Sequence, residues 1–295
     1  MVIKVSFANF WEGFPLEENF FTDVIQRATG HRVISVIPLA ADLVIWSVFG
    51  ANGQRNDFTK LDPKKINWYF TGENYPPDIH RFDLSFSFSR EKLSKHFRIP
   101  IWWLYCDWSG KAQNCVQADN KIDPRILHKF RNRQVPKEKK VSIFINNPEP
   151  KRLEAVEKLE RVIPVMKFGG FYGNRVRSKL EIGKDYRFNL CFENEKSAGY
   201  HTEKLLHAWS MGAVPLYFGD ESVNEEFNSK CFVNLNDFSS LDEFCDYVMQ
   251  MTDEECARMI NEPLLKEAIT LESLYSRLRL ELSSFSCNSP RSPAK

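Results

Sequence analysis

The sequence predicts an α/β protein of two Rossmann-like halves, each a parallel sheet flanked by helices. Three observations carry that expectation. Short β-rich runs alternate with amphipathic helical stretches, the pattern of parallel strands joined by crossovers. The chain has 295 residues, which at about 150 residues per domain suggests two domains. In the second half, residues 188–218 read strand, loop, helix, strand, the right-handed unit of nucleotide-binding folds.

The elements follow in order. Ile3–Phe7, Val33–Ile37, Leu43–Val48, Ile66–Phe70 and Leu84–Ser87 are short runs rich in Val, Ile, Phe and Trp and bounded by turn residues, so they read as strands. Pro15–Ala28 reads as the first crossing helix, with Phe20, Phe21, Val24 and Ile25 on one side. In the second half, Val141–Ile145 is a strand and Glu149–Val162 a helix. Phe188–Phe192 is a strand, followed by a loop, a helix from Thr202 to Met211 that Gly212 ends, and a strand over Ala213–Phe218. Cys231–Leu235 is a further strand. Ser240-x-x-Glu243 reads as a capping box that starts a helix, and Thr252-x-x-Glu255 starts the next one. The tail SSFSCNSPRSPAK reads as frayed.

Composition bounds the function. Apolar residues make up 43% and charged residues 27%, which excludes a disordered, collagenous or coiled-coil chain. A net charge of +1 argues against general nucleic-acid binding, which rests on neutralising many phosphates. The seven cysteines are odd in number and form no CxxC pair, so a disulfide framework or zinc site is not expected. Residues 128–140, HKFRNRQVPKEKK, carry seven basic residues counting His128 against one acidic residue. They read as a solvated linker, or as the border of a cleft that binds an anion. Val33–Ala51 is the most apolar stretch, but Pro38 and Asp42 interrupt it, and a spanning helix needs about 20 apolar residues.

The chemistry concentrates in FNLCFENEKSAGYHTEKLLHAWSMGAVPLYFG, residues 188–219. Its polar residues follow a strand and open a helix, where backbone N–H groups and the helix dipole favour anions. Lys204 in the first helical turn opposes that dipole, so it serves a diphosphate ligand or is merely solvated or paired with Glu203. Glu203 either accepts from ribose hydroxyls or only complements the dipole. Glu195 and Glu203 have the E-x7-E spacing of some retaining sugar transferases, but the rest of that pattern is absent. His201 reads as a loop residue, and Trp102 and Trp103 as packing.

This stretch resembles the donor-binding motif of the α1,3/4-fucosyltransferases, glycosyltransferase family 10, and is especially similar to bacterial members. Upstream, WYFTGENYPP (residues 68–77) followed by DLSFSFSR is similar to that family's acceptor-domain signature. The opening FANFWEGF is similar to its acceptor loop, and the resemblance runs with gaps from about residue 3 to 265. It implies a GT-B fold with two Rossmann-like domains facing a central cleft: an acceptor domain over 1–136 and a GDP-fucose domain over 137–295. A final helix would return to the first domain. It further implies inverting transfer of L-fucose from GDP-β-L-fucose to a hydroxyl of an N-acetylglucosamine or glucose unit, as in N-acetyllactosamine, through an α1,3 linkage with α1,4 the alternative.

The resemblance also implies residue roles. Glu73 matches the general base, against the alternative of a turn carboxylate that caps a helix. Asn194, Tyr200, Glu203 and Lys204 match donor-binding positions. An Arg for the phosphates stands in GGFYGNRVRSK, where Arg175, just after a Gly-rich turn, is favoured over Arg177. Phe10, Trp11 and Glu12 match the acceptor loop. No metal site is expected and no cofactor is required, with at most modest stimulation by Mn²⁺, because cationic side chains can take a metal's role. The expected partners are GDP-fucose and a glycan acceptor, with no nucleic acid. The expected location is the cytoplasm, with the 128–140 stretch allowing peripheral association with a membrane.

Overall fold

The computed structural model of the protein describes residues 1–50, 55–110, 121–135 and 138–283. Cys115, Cys287, the tail from 284 and the expected boundary at 136/137 lie outside the described residues. The chain divides into two compact units: Met1–Ser87, Glu91–Ile99 and the chain from Ile269 form one, and Phe88–Arg90 with Pro100–Ala268 form the other. Residues 100–110 and 121–135, which the sequence reading gives to the first domain, therefore belong to the second unit. The physical reason is packing. Tyr105 lies edge-on to His207 at 5.0 Å, and Trp102 packs on Phe227 at 5.7 Å, both inside the second unit.

Unit 1 is built on a six-stranded sheet of order β2-β1-β3-β4-β5-β6: β1 (Val2–Ala8), β2 (Arg32–Ser35), β3 (Leu43–Trp46), β4 (Ile66–Phe70), β5 (Leu84–Ser87) and β6 (His96–Arg98). All its strand pairs are parallel. β3, β4 and β5 are buried throughout, which is why they read as continuous apolar runs. The indole N–H of Trp46 donates to Asn67 Oδ1 at 2.9 Å, a buried tie between β3 and β4. Helix α1 (Phe20–Thr29) starts later than Pro15 because Asn19 is its cap. The Asn19 side chain accepts from the N–H groups of Phe21 and Thr22, and Thr22 completes a capping box. The last helix, Glu272–Glu281, lies against α1 within this unit.

Unit 2 carries a second all-parallel sheet of order β11-β10-β9-β7-β8: β7 (Glu138–Phe144), β8 (Val165–Phe168), β9 (Tyr186–Leu190), β10 (Val214–Tyr217) and β11 (Val233–Asn234). Its helices are α2 (Pro150–Leu159), α3 (Lys179–Gly183), α4 (Glu203–Met211), α5 (Val223–Glu226), α6 (Leu241–Gln250) and α7 (Asp253–Asn261). Val141, Ile143, Phe188, Leu190, Val214 and Leu216 from the sheet meet Ala155, Leu159, Phe244 and Val248 from the helices in one core. α4 ends where Gly212 takes the left-handed conformation at φ 81°. α7 has a full capping box. At α6 only half of one forms: Ser240 accepts from the Glu243 N–H, but the Glu243 carboxylate turns to Ser239.

The basic stretch that leads into β7 is neither a solvated linker nor an anion border at three of its cations. Arg131 donates to the carbonyls of Trp209 and Ile260 and stacks 3.5 Å from the Trp209 ring. Arg133 donates to Ser210 O, and Lys139 to Met249 O. The C-terminal ends of α4, α6 and α7 leave orphan carbonyls at this edge, and cations satisfy them while complementing the helix dipoles.

Candidate functional site

The sheet of unit 2 reverses its order between β7 and β9, so the loops leaving those two strands splay apart at their carboxyl ends. Ligands in open α/β sheets bind at such a switch point. The loop after β7, residues 145–149, and the loop after β9, residues 191–202, therefore frame the candidate site.

Arg152, in the first turn of α2, joins the two loops. It is only 4% exposed. Its guanidinium donates to Asn147 O at 3.0 Å, Phe192 O at 2.9 Å and Asn194 Oδ1 at 2.5 Å. Burial lowers its pKa, opposed by Glu193, Glu149 and Glu203. Sequence reading sought an arginine further along and missed this one. Arg175 and Arg177, the two candidates, are both exposed in the loop after β8. Arg175 lies beside Gly170, whose N–H donates to Asn146 Oδ1 at 2.8 Å, so it reaches the β7 side of the site.

Around the start of α4 the charges interlock. Lys204 pairs with Glu193 at 2.9 Å and donates to the Thr202 hydroxyl at 2.8 Å. Its partner is thus Glu193 and not Glu203, the neighbour considered from sequence. Burial pushes the Glu203 carboxyl up, but Lys204, Lys179 and His207 outweigh it and hold the group down at about 2. A recess of about 30 Å³ is lined by Arg152, Lys179, Asn189, Glu203, Lys204 and His207, among others. Three fixed cations face one carboxylate there. The recess holds a water molecule or the oxygens of an anion, not a whole nucleotide.

Two motif residues serve the framework. Tyr200 is 3% exposed, its ring 5.0 Å from that of Phe88. His201 is 1% exposed, with Glu226 at 3.3 Å and Ser222 at 3.4 Å. Glu195 is exposed. A Cβ on Gly219 would stand 2.2 Å from the Tyr217 hydroxyl and 3.1 Å from Glu193 Cγ, which explains the glycine that closes the motif.

In unit 1, Glu73 follows β4 at the carboxyl edge of the sheet. Thr71 organises the turn: its hydroxyl accepts from the Glu73 N–H and donates to the Glu73 carbonyl, both at 3.1 Å. The Glu73 carboxylate is 31% exposed and stands 3.9 Å from Arg55. Phe10 is half-buried in an aromatic cluster, 4.2 Å from Phe14 and 6.1 Å from Phe70. Trp11 is half-buried against Phe49, and Glu12 is exposed. Trp102 and Trp103 are buried.

Two family models match the chain. Residues 134–259 match "Glycosyltransferase family 10 (fucosyltransferase) C-term", and residues 5–105 match "Alpha-(1,3)-fucosyltransferase FucT N-terminal domain". The chain belongs to glycosyltransferase family 10.

Within the family, the chain is 27% identical over 274 residues to the alpha-(1,3)-fucosyltransferase FucT of Helicobacter pylori, an alignment covering 83% of this chain and 56% of that protein. It is 30% identical over 125 residues to mouse 4-galactosyl-N-acetylglucosaminide 3-alpha-L-fucosyltransferase 9, covering 40% of this chain and 35% of that protein. The chain thus spans about half the length, or less, of these curated relatives. Among solved structures, an α1,3-fucosyltransferase superposes with TM-score 0.72 at 23% identity, covering 98% of this chain and 91% of that one. A structure of an α1,3-fucosyltransferase with GDP-fucose gives TM-score 0.70 at 22% identity, covering 99% and 93%. The fold is that of the GT-B class, with two Rossmann-like units. No helix among the described residues is long and apolar enough to cross a membrane.

Proposed function

We propose that the chain catalyses inverting transfer of L-fucose from GDP-β-L-fucose to a hydroxyl of an N-acetylglucosamine or glucose unit in an oligosaccharide, forming an α1,3 linkage. The observation that carries this reading is the gathering of Asn194, Glu203 and Lys204 with the buried Arg152 at the switch point of unit 2. Related proteins in the family are named alpha-(1,3)-fucosyltransferases, and one solved relative holds GDP-fucose.

In this reading the acceptor oxygen attacks C1 of fucose while the bond from C1 to the β-phosphate oxygen breaks. Glu73, on unit 1, takes the hydroxyl proton. GDP leaves with its developing charge met by Lys204, the N–H groups at the start of α4 and Arg152. Glu203 accepts from ribose hydroxyls, Asn194 binds the donor, and Tyr200 supports the loop that carries them. Arg175 reaches the phosphates from the loop after β8. Phe10, Trp11 and Glu12 belong to the acceptor side. No metal is required, because fixed cations face the leaving group.

The test is donor titration by calorimetry with GDP-fucose, GDP-mannose and UDP-sugars, followed by transfer to N-acetyllactosamine and NMR of the product. GDP-fucose binds preferentially, and an α-fucoside forms at the same rate in chelator. Preference for another sugar nucleotide, a β product, or activity that depends on an added divalent ion would each overturn a part of the reading.

A further inference from the structure

Glu193 is a buried titratable group with no part in the transfer just described. Its side chain is fully buried. One carboxylate oxygen accepts the Thr202 N–H at 2.7 Å; the other accepts the Thr202 hydroxyl at 2.6 Å and the Lys204 ammonium at 2.9 Å. Lys204 also donates to the Thr202 hydroxyl. Thr202 caps α4 without giving its own side chain to the helix, and the carboxylate from the preceding loop takes the N–H of this cap residue, the donor that a capping-box glutamate ordinarily satisfies. The backbone makes room for this arrangement, since any side chain at Gly219 would press on Glu193 and Tyr217.

A charge this deep is costly unless paired, and one of its three hydrogen bonds comes from Lys204, a cation aimed at the leaving group. Lys204 has a four-carbon stem whose ammonium would otherwise sweep many rotamers. We infer that Glu193 is a positioning residue: it fixes the Lys204 ammonium and the first turn of α4 before the donor arrives, so that the diphosphate meets an already ordered cation. This rests on the proposed transfer reaction. The carboxylate touches no substrate and acts only through Lys204 and Thr202. It should therefore matter more when charge grows on the departing phosphate than when the donor merely binds.

A double-mutant cycle tests it, with the wild type, Glu193→Gln, Lys204→Met and the double variant compared by GDP calorimetry and GDP-fucose kinetics. The wild type must first bind GDP and turn over GDP-fucose. If it binds GDP but uses another GDP-sugar, the donor reading fails and the cycle is run with that sugar; if it binds no GDP, both fall. With Lys204 present, Glu193→Gln lowers kcat about tenfold or more while KM and GDP affinity change less than about threefold, the loss expected for a hydrogen bond to a charged group. In the Lys204→Met background the same change costs less than about twofold. Equal losses in both backgrounds, or wild-type kcat in folded Glu193→Gln, overturn the inference. Should Glu193→Gln fail to fold, Thr202→Val gives the test. It removes the bridging hydroxyl and keeps both charges, and its loss of kcat must likewise vanish without Lys204. A loss that persists there refutes positioning.

Discussion

Glu203 offers the sharpest electrostatic prediction. Burial raises its carboxyl pKa, and Lys204, Lys179 and His207 together bring it down from the ordinary 4.5 to about 2. The folded pKa lies below the unfolded one, so the charge stabilises the fold above pH 4.5, and that contribution is lost as the pH falls toward 2. The gap corresponds to about 3 kcal/mol at neutral pH. Protonation of the unfolded chain alone removes about 1 kcal/mol of this by pH 3.5. Glu203→Gln keeps the shape and deletes the charge. Urea denaturation followed by circular dichroism at pH 7 and pH 3.5 gives the stability of both proteins. The variant is less stable by about 3 kcal/mol at pH 7 and by about 2 kcal/mol at pH 3.5. A difference that does not shrink on acidification, or one under about 1 kcal/mol at pH 7, would show that Lys204, Lys179 and His207 do not hold the carboxylate as described.

Three further outcomes follow from the same geometry. Glu73→Ala lowers kcat by about 10²–10⁴ and leaves GDP affinity within about twofold, checked by steady-state kinetics and calorimetry; near-normal kcat would return Glu73 to a turn residue. Lys204→Ala weakens GDP-fucose binding and slows transfer together, by about 10- to 150-fold, and Lys204→Arg restores only part because a planar fork is not a point charge. Arg131→Met removes the donors at the ends of α4 and α7 and destabilises unit 2 by about 2–4 kcal/mol in urea melts; an unchanged midpoint would mean those carbonyls find other partners.

The sequence reading located what depends on local pattern. The strands at 66–70 and 84–87 are apolar enough to announce themselves, β9 was read two residues late at 188–192, and Gly212 marks the end of α4. It missed β8, because VMKF is a short strand whose Met166 faces outward, and β6, because three residues carry no period. Arg152 was hidden for a different reason. On its own helix it is one more basic residue among Lys151, Glu154 and Glu157, and only the reversed strand order shows that its turn adjoins Asn194. The signal present was NNPEP, a turn closing on Pro150 at a helix start directly after a strand. The 128–140 charges misled because composition counts cations without showing the helix ends that consume them. Lys204 was found, but its true partner stands eleven residues back in the chain, beyond any helical spacing rule.

The discontinuity of the units bears on how such proteins can be recombined. The chain leaves unit 1 after Ser87, returns at Glu91, leaves again after Ile99 and comes back at Ile269. A single splice near the middle of the gene would cut across this weave. It would strand residues 100–110 and 121–135 with the wrong half and separate the last helix from the α1 face it covers. Exchanging one unit between relatives therefore takes several junctions at once, including a three-residue graft at Phe88–Arg90. Where that graft is mismatched, Tyr200 loses the ring of Phe88 beside it, and the damage surfaces in the half that was never exchanged.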